Sequence, residues 1–97
     1  MVQVVWLKSA RNDLLEIFEF IAKDSKRYAK LQVNKIQSAT ELLKLDVEIG
    51  RIVPELNDYK VREIIVRNYR IIYRILNAEL IHILFIHHTS RKFPRKF

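Results

Sequence analysis

Tyr69-Arg70-Ile71-Ile72-Tyr73-Arg74-Ile75-Leu76 is a run of aromatic and aliphatic side chains interrupted only by two arginines. A stretch so rich in isoleucine and tyrosine suits a β-strand, where branched and flat side chains pack on a pleated surface. Alternate side chains of a strand face opposite ways. Tyr69, Ile71, Tyr73 and Ile75 therefore share one face, and Arg70, Ile72, Arg74 and Leu76 the other. Upstream, Val61 to Val66 reads as a strand of the same kind, and downstream so does Leu80 to Ile86. The breaks at Asn68 and at Asn77-Ala78 are short enough for hairpin turns, which makes the three strands an antiparallel meander.

The first half of the chain follows a different period. Val2, Val4 and Trp6 alternate with Gln3, Val5 and Leu7, a short strand that is apolar on both faces. Ala10, Leu14, Ile17, Phe18 and Ile21 then recur at helical spacing, with Arg11, Asp13, Glu16, Glu19 and Lys23 on the other side. Ser9 is placed to cap this helix. Ser25 is placed to cap a second, running to about Leu45 with Ala29, Val33, Ile36, Thr40 and Leu43 in line. So short a link makes the two an antiparallel hairpin. Residues 46–59, with the only glycine (Gly50) and Pro54, read as a loop. The expected architecture is α+β: a strand, a helical hairpin, then the meander, with the helices on one face of the sheet.

The chain has 97 residues, a length that suits one domain, here with a basic tail over about 88–97. It has no cysteine, hence no disulfide framework and no thiolate metal site. No apolar run approaches the roughly 18–20 residues that span a membrane, and the N-terminus has no leader pattern. A cytoplasmic location is expected. The net charge is +7, and its distribution is uneven. Residues 1–58 hold nine basic and nine acidic side chains, whereas residues 59–97 hold nine basic against only Glu63 and Glu79. The excess lies on Lys60, Arg62, Arg67, Arg70, Arg74, Arg91, Lys92, Arg95 and Lys96. Such asymmetry points to an anionic partner.

If the helices cover one face of the sheet, the face bearing Arg70, Arg74 and Arg62 is the open one. Arginine within a strand suits phosphate or carboxylate recognition because its guanidinium makes paired hydrogen bonds; the bland alternative is pairing with carboxylates from the acidic half. His87 and His88 close the last strand, where a histidine can serve as acid or base near neutral pH or simply satisfy backbone groups. With His82 they make three histidines, not spaced as metal ligands. One glycine excludes a phosphate-cradling loop, and no nucleophile elbow occurs. No cofactor is implied.

Three segments taken in order carry a resemblance: Gly50-Arg51-Ile52-Val53-Pro54-Glu55, Val61-Arg62-Glu63-Ile64, and Asn68 through Ile75. Together with Trp6, Ala10, Asp13-Leu14 and Ile17 at the start and Ile86-His87-His88 and Arg91 at the end, the chain resembles the RelE/ParE superfamily of type II toxin–antitoxin toxins. The resemblance implies a cognate antitoxin, partly disordered alone, that wraps the toxin with an acidic, amphipathic segment. It also implies one of two targets. RelE-like members cut mRNA on the ribosome, which would make Arg70 the phosphate-stabilising arginine, His87 or His88 an acid or base, and Arg91 a further catalytic cation. No tyrosine follows Tyr73, so the variant with a C-terminal tyrosine is missing; Phe93 and Phe97 stand there. ParE-like members inhibit DNA gyrase, and the Gly50–Glu55 loop and the spacing of His87 and Arg91 are closer to these. Arg62, Arg67, Arg74, Lys92, Arg95 and Lys96 would then bind the target or another anion. A plain nucleic-acid-binding module is a third reading, weakened because no helix is basic along one face.

Overall fold

The computed structural model describes residues 1–94. Its elements are β1 (Gln3–Trp6), α1 (Lys8–Ala22), α2 (Lys26–Glu41), a 3₁₀ turn (Leu42–Lys44), β2 (Arg51–Ile52), β3 (Val61–Val66), β4 (Tyr69–Asn77) and β5 (Leu80–His88). The sheet order is β1-β5-β4-β3-β2. The meander is as expected, and β1 joins it parallel to β5, with Val4 beside Ile81 and Trp6 beside Ile83. The helical hairpin supplies the crossover that a parallel pair needs. β2 is new: two residues inside the expected loop pair with Glu63 and Arg62 of β3.

The helices and one face of the sheet enclose the main core, where Ala10, Ile36, Leu43, Ile71, Tyr73, Ile75, Ile81, Ile83 and Ile86 are buried. A second cluster, Val53, Val61, Ile72 and Leu84, lies on the opposite face under Leu56, Phe85 and Phe93. That face is therefore partly covered by the loop after β2 and by the segment after β5.

Three local expectations are corrected. Ser25 caps α2, accepting from Tyr28 N at 3.1 Å. Ser9, in contrast, lies inside α1, whose N-cap is Leu7, and its hydroxyl donates to Leu84 O at 2.5 Å. The second correction concerns β5: Tyr73 is opposite Ile83 but Ile72 is opposite Phe85, so Leu84 is an extra, bulged residue. Strict alternation groups Ile81, Ile83, Phe85 and His87; the bulge instead sends Phe85 and His87 to the face away from the helices and returns Ile86 and His88 to the helix side. Third, Arg62 stands opposite Tyr73, on the helix side, not with Arg70 and Arg74.

Beyond Trp6 the edge of β5 is completed by α1 rather than by a strand. Leu7 N donates to Ile83 O at 3.0 Å, and Asp13 Oδ2 accepts from Ile86 N at 2.9 Å. With the Ser9–Leu84 bond, these contacts satisfy buried backbone groups that would otherwise be orphaned. Burial pushes the Asp13 carboxyl above its usual range, with the bond from Ile86 N opposing.

Candidate functional site

The two-residue turn Arg67-Asn68 sets β3 against β4 so that Glu63 faces Ile72 and Ile65 faces Arg70. Glu63 and Arg70 thus share the face away from the helices. The Glu63 side chain is fully buried; Oε1 accepts from Arg70 Nε at 2.6 Å and Oε2 from Arg51 Nε at 2.5 Å. Arg70 also forms a bidentate pair with Glu55 in the loop after β2, at 2.8 and 2.7 Å. Its guanidinium carbon lies 4.7 Å from the centroid of the Phe93 ring. The pairing with Glu55 and Glu63 raises the Arg70 pKa, and Arg70 holds the Glu55 carboxyl down at about 2. Arg70 is thus engaged by both carboxylates and by the ring, while Glu63 is shared with Arg51.

His87 is opposite Arg70 in the ladder and is buried. Its Nε2 is 2.9 Å from Arg91 O, and Phe93 packs on its ring at 5.2 Å, so the segment after β5 closes over it. Nδ1 is buried and has no hydrogen-bond partner among the described residues. His88 points the other way, its ring edge-on to Tyr69 at 5.1 Å. Its Nδ1 accepts from Ser90 N at 3.1 Å. A ring nitrogen that accepts carries no proton, so this bond favours the neutral Nε2–H tautomer. His88, Tyr69, Ser90 and Arg91 line a cavity of about 430 Å³ with Asp13, Glu16, Ile17 and Phe20 of α1. Burial in this corner raises the Tyr69 pKa, with Arg91 opposing.

The residues expected to serve in a nuclease, Arg70, Arg91 and either His87 or His88, therefore fall into two groups on opposite faces. Arg70 and His87 lie under Phe93; His88 and the Arg91 side chain lie in the α1 cavity. Among the described residues no group of three or more histidine, aspartate or glutamate side chains could hold a metal.

The other expected cations are just as divided. Arg62 is occupied: Nη1 donates to Glu48 O at 3.3 Å and Gly50 O at 3.1 Å, Nε donates to Tyr59 O at 3.2 Å, and the group lies over the Tyr59 ring. With Tyr73, whose hydroxyl donates to Val47 O at 2.8 Å and accepts from Gly50 N at 3.0 Å, it pins the strand-free segment 46–50. Burial raises the Tyr73 pKa. Arg67 and Arg74 are exposed, the first at the hairpin tip and the second opposite His82 on the Arg70 face. Lys92 is also exposed. Arg95 and Lys96 lie outside the described residues.

A family model described as "ParE toxin of type II toxin-antitoxin system, parDE" matches residues 4–93. The chain belongs to the ParE toxin family. The structure resembles a solved one titled "Chromosomal ParDE TA system from P. aeruginosa", with a TM-score of 0.74 over 91% of this chain and 96% of that one. At 21% identity that likeness speaks to the fold. No curated protein sequence matched the chain. Among the described residues, no helix of this ParE-family toxin is long and apolar enough to cross a membrane.

Arg51, Glu55, Glu63, Asp13 and Phe93 are site residues that sequence reasoning did not assign. Asp13 stood in the segments that carry the resemblance, but nothing in the sequence pointed to its bond from Ile86 N. Glu55 was visible in the Gly50–Glu55 segment, but nothing in its spacing pointed to Arg70.

Proposed function

We propose that this ParE-family toxin arrests growth in the cytoplasm by poisoning DNA gyrase and is neutralised by a cognate antitoxin. The observation that carries the choice of target is the occupancy of Arg70. Cleavage of an RNA backbone needs a cation free to hold the developing phosphorane charge and an acid–base group beside it. Arg70 spends its guanidinium on Glu55 and Glu63, His87 is buried against Phe93, and His88 faces the opposite side. What remains available is a set of exposed cations suited to docking: Arg67, Arg74, Arg91 and Lys92, continued in sequence by Arg95 and Lys96.

The test is a supercoiling assay with purified gyrase, ATP, plasmid and this protein freed of antitoxin. Loss of supercoiling with accumulation of cleaved plasmid is expected, and Arg74→Glu with Lys92→Glu should weaken it at least tenfold. Untouched gyrase, from protein that stops growth in cells, would overturn the reading in favour of mRNA cleavage at the ribosome.

A further inference from the structure

α1 is hydrogen-bonded to the sheet only near its start. Leu7 N and the side chains of Ser9 and Asp13 bond to β5, and among the described residues Asp13 is the last of α1 to do so. Beyond it two walls part around the cavity of about 430 Å³, a size within the roughly 300–1,000 Å³ of small-molecule sites. Asp13, Glu16, Ile17 and Phe20 make one wall, a stripe at i, i+3, i+4 and i+7 of α1. Tyr69, Ile86, His88, Ser90 and Arg91 make the other.

The walls differ in hydrogen-bonding character. On α1 the ionised Glu16 only accepts, and so does the Asp13 oxygen not used by Ile86 N. Across the gap the Arg91 guanidinium only donates, and His88, whose Nδ1 accepts from Ser90 N, keeps a donating Nε2–H. Among the described residues the side chains of Glu16, Arg91 and Tyr69 have no hydrogen bond or ion pair, although the Arg91 charge is close enough to act on both Asp13 and Tyr69. Arg62 and Arg70 spend the same group on the fold; the Arg91 side chain does not. The cavity is also rich in rings: Tyr69, His88 and Phe20, the last 71% exposed.

A simple anion would meet two carboxylates here, and a simple cation would meet Arg91. The lining instead suits a flat body with donors on one edge and acceptors on another. Guanine has this pattern. Its N1–H and N2–H are adjacent donors that match both oxygens of one carboxylate, and its O6 and N7 accept a pair of bonds from an arginine. Adenine, cytosine and thymine each set an acceptor beside the donor on the corresponding edge. We propose that this cavity binds the guanine base of a nucleotide. Glu16 accepts from N1–H and N2–H, Arg91 donates to O6 and N7, and the base stacks on Phe20. The phosphate stays in solvent, in the field of a chain of net charge +7. The inference does not rest on gyrase as the target, and its failure would leave that reading standing.

The experiment titrates the full-length toxin, freed of antitoxin, with guanosine, inosine and adenosine monophosphates, followed by calorimetry and by amide shifts in NMR. The guanosine nucleotide should bind at least tenfold more tightly than the adenosine one and shift the amides of Phe20, Ser90 and Arg91. The inosine nucleotide lacks the N2 amino group and should bind at least fivefold more weakly than the guanosine one. Glu16 is exposed, so Glu16→Gln leaves the fold intact. It should weaken the guanosine nucleotide at least tenfold and bring it within about twofold of the inosine one. Arg91→Met keeps the carbonyl that meets His87 and should also cost at least tenfold. A deoxy trinucleotide with guanine between two thymines separates the sources. Tighter binding than the mononucleotide assigns the cavity to single-stranded nucleic acid, weaker binding to a free nucleotide, and either supports a guanine site. Equal binding of the guanosine and adenosine nucleotides, wild-type affinity in Glu16→Gln, or shifts confined to other residues would overturn the proposal.

Discussion

Arg70 holds the face away from the helices together, and its replacement by methionine tests this directly. The methionine keeps the aliphatic reach but leaves Glu63, whose side chain has no solvent exposure, with Arg51 alone. Arg51 is a weak replacement because its own side chain is 61% exposed. Removing one partner of a buried pair costs about 3–5 kcal/mol, because an uncompensated charge stays behind. Arg70→Met should therefore lose about 3 kcal/mol, a drop in Tm of about 12 °C or more for a chain of this size. Glu63→Gln leaves Arg70 its bidentate pair with Glu55 and should cost only about 1–2 kcal/mol. The double variant Arg70→Met/Glu63→Met replaces the pair with apolar volume and should recover most of the loss. Urea and thermal unfolding of the three proteins give the comparison. If Arg70→Met unfolds within about 1 kcal/mol of wild type, or if the double variant is worse than either single one, the cluster is not the structural unit described. The order of effects also bears on toxicity assays: a harmless Arg70 variant says nothing about catalysis unless it is shown to be folded.

Five further outcomes follow from particular positions. Glu55 is held from an ordinary 4.5 to about 2 by Arg70, so its contribution is full above about pH 4.5 and is lost as pH falls toward 2. Its side chain is 41% exposed, so that contribution is at most about 1 kcal/mol, and Glu55→Gln should flatten the acid limb of a stability–pH curve by that amount. Asp13 has the opposite sign, since a raised folded pKa costs stability as pH climbs through it. Asp13→Asn keeps an acceptor for Ile86 N and should be neutral or stabilising in melts at pH 7, while Asp13→Ala should lose about 1–3 kcal/mol. Gly50→Ala should cost about 1–3 kcal/mol, because a Cβ there would meet Glu63 O at 2.6 Å and the Tyr73 hydroxyl at 2.7 Å; unfolding at wild-type urea concentration would count against it. At the tail, Lys92→Glu should leave stability within about 0.5 kcal/mol yet weaken gyrase poisoning. Phe93→Ala should instead lose about 1–3 kcal/mol of packing on Arg70, His87 and Phe85, checked by the same melts.

Element order was legible because period and composition are local properties. Ile, Val and Tyr runs on either side of two-residue breaks could form little but a meander, and the helical stripes led directly to the core residues Ala10, Ala29, Ile36, Thr40 and Leu43. The hairpin also encodes its register: with Val66 opposite Tyr69, Glu63 must share a face with Arg70, so the buried pair was within reach of alternation. What could not be read was set by contacts distant in sequence. The bulge at Leu84 reverses the facing of everything after it and moves His87 and His88 to the sides opposite those alternation gives them. No residue at 84 announces it; leucine is at home in an unbroken strand. Arg62 left the open face because its strand position points to the helix side, where three carbonyls await it. Sequence charge alone cannot separate such an occupied arginine from a displayed one.

That distinction changes what the basic excess of the C-terminal part means. Of the arginines in β3 and β4, Arg62 and Arg70 are inward-looking and paired, so they are part of the fold's cohesion rather than of a field offered to a target. The displayed charge lies at the hairpin tip, on Arg74, and after β5. The segment after β5 also has two roles that a simple truncation merges. Arg91 supplies the carbonyl that meets His87, and Phe93 seals Arg70, His87 and Phe85, while Lys92 between them is exposed. Removing 91–97 would therefore uncover the Arg70–Glu63 cluster and strip cations in one step. Loss of toxicity on truncation would be expected whether the segment docks on a target or merely closes the sheet. Only substitutions that change charge without touching Phe93 or the Arg91 carbonyl separate the two, which makes Lys92 and Arg74 the informative positions on this molecule.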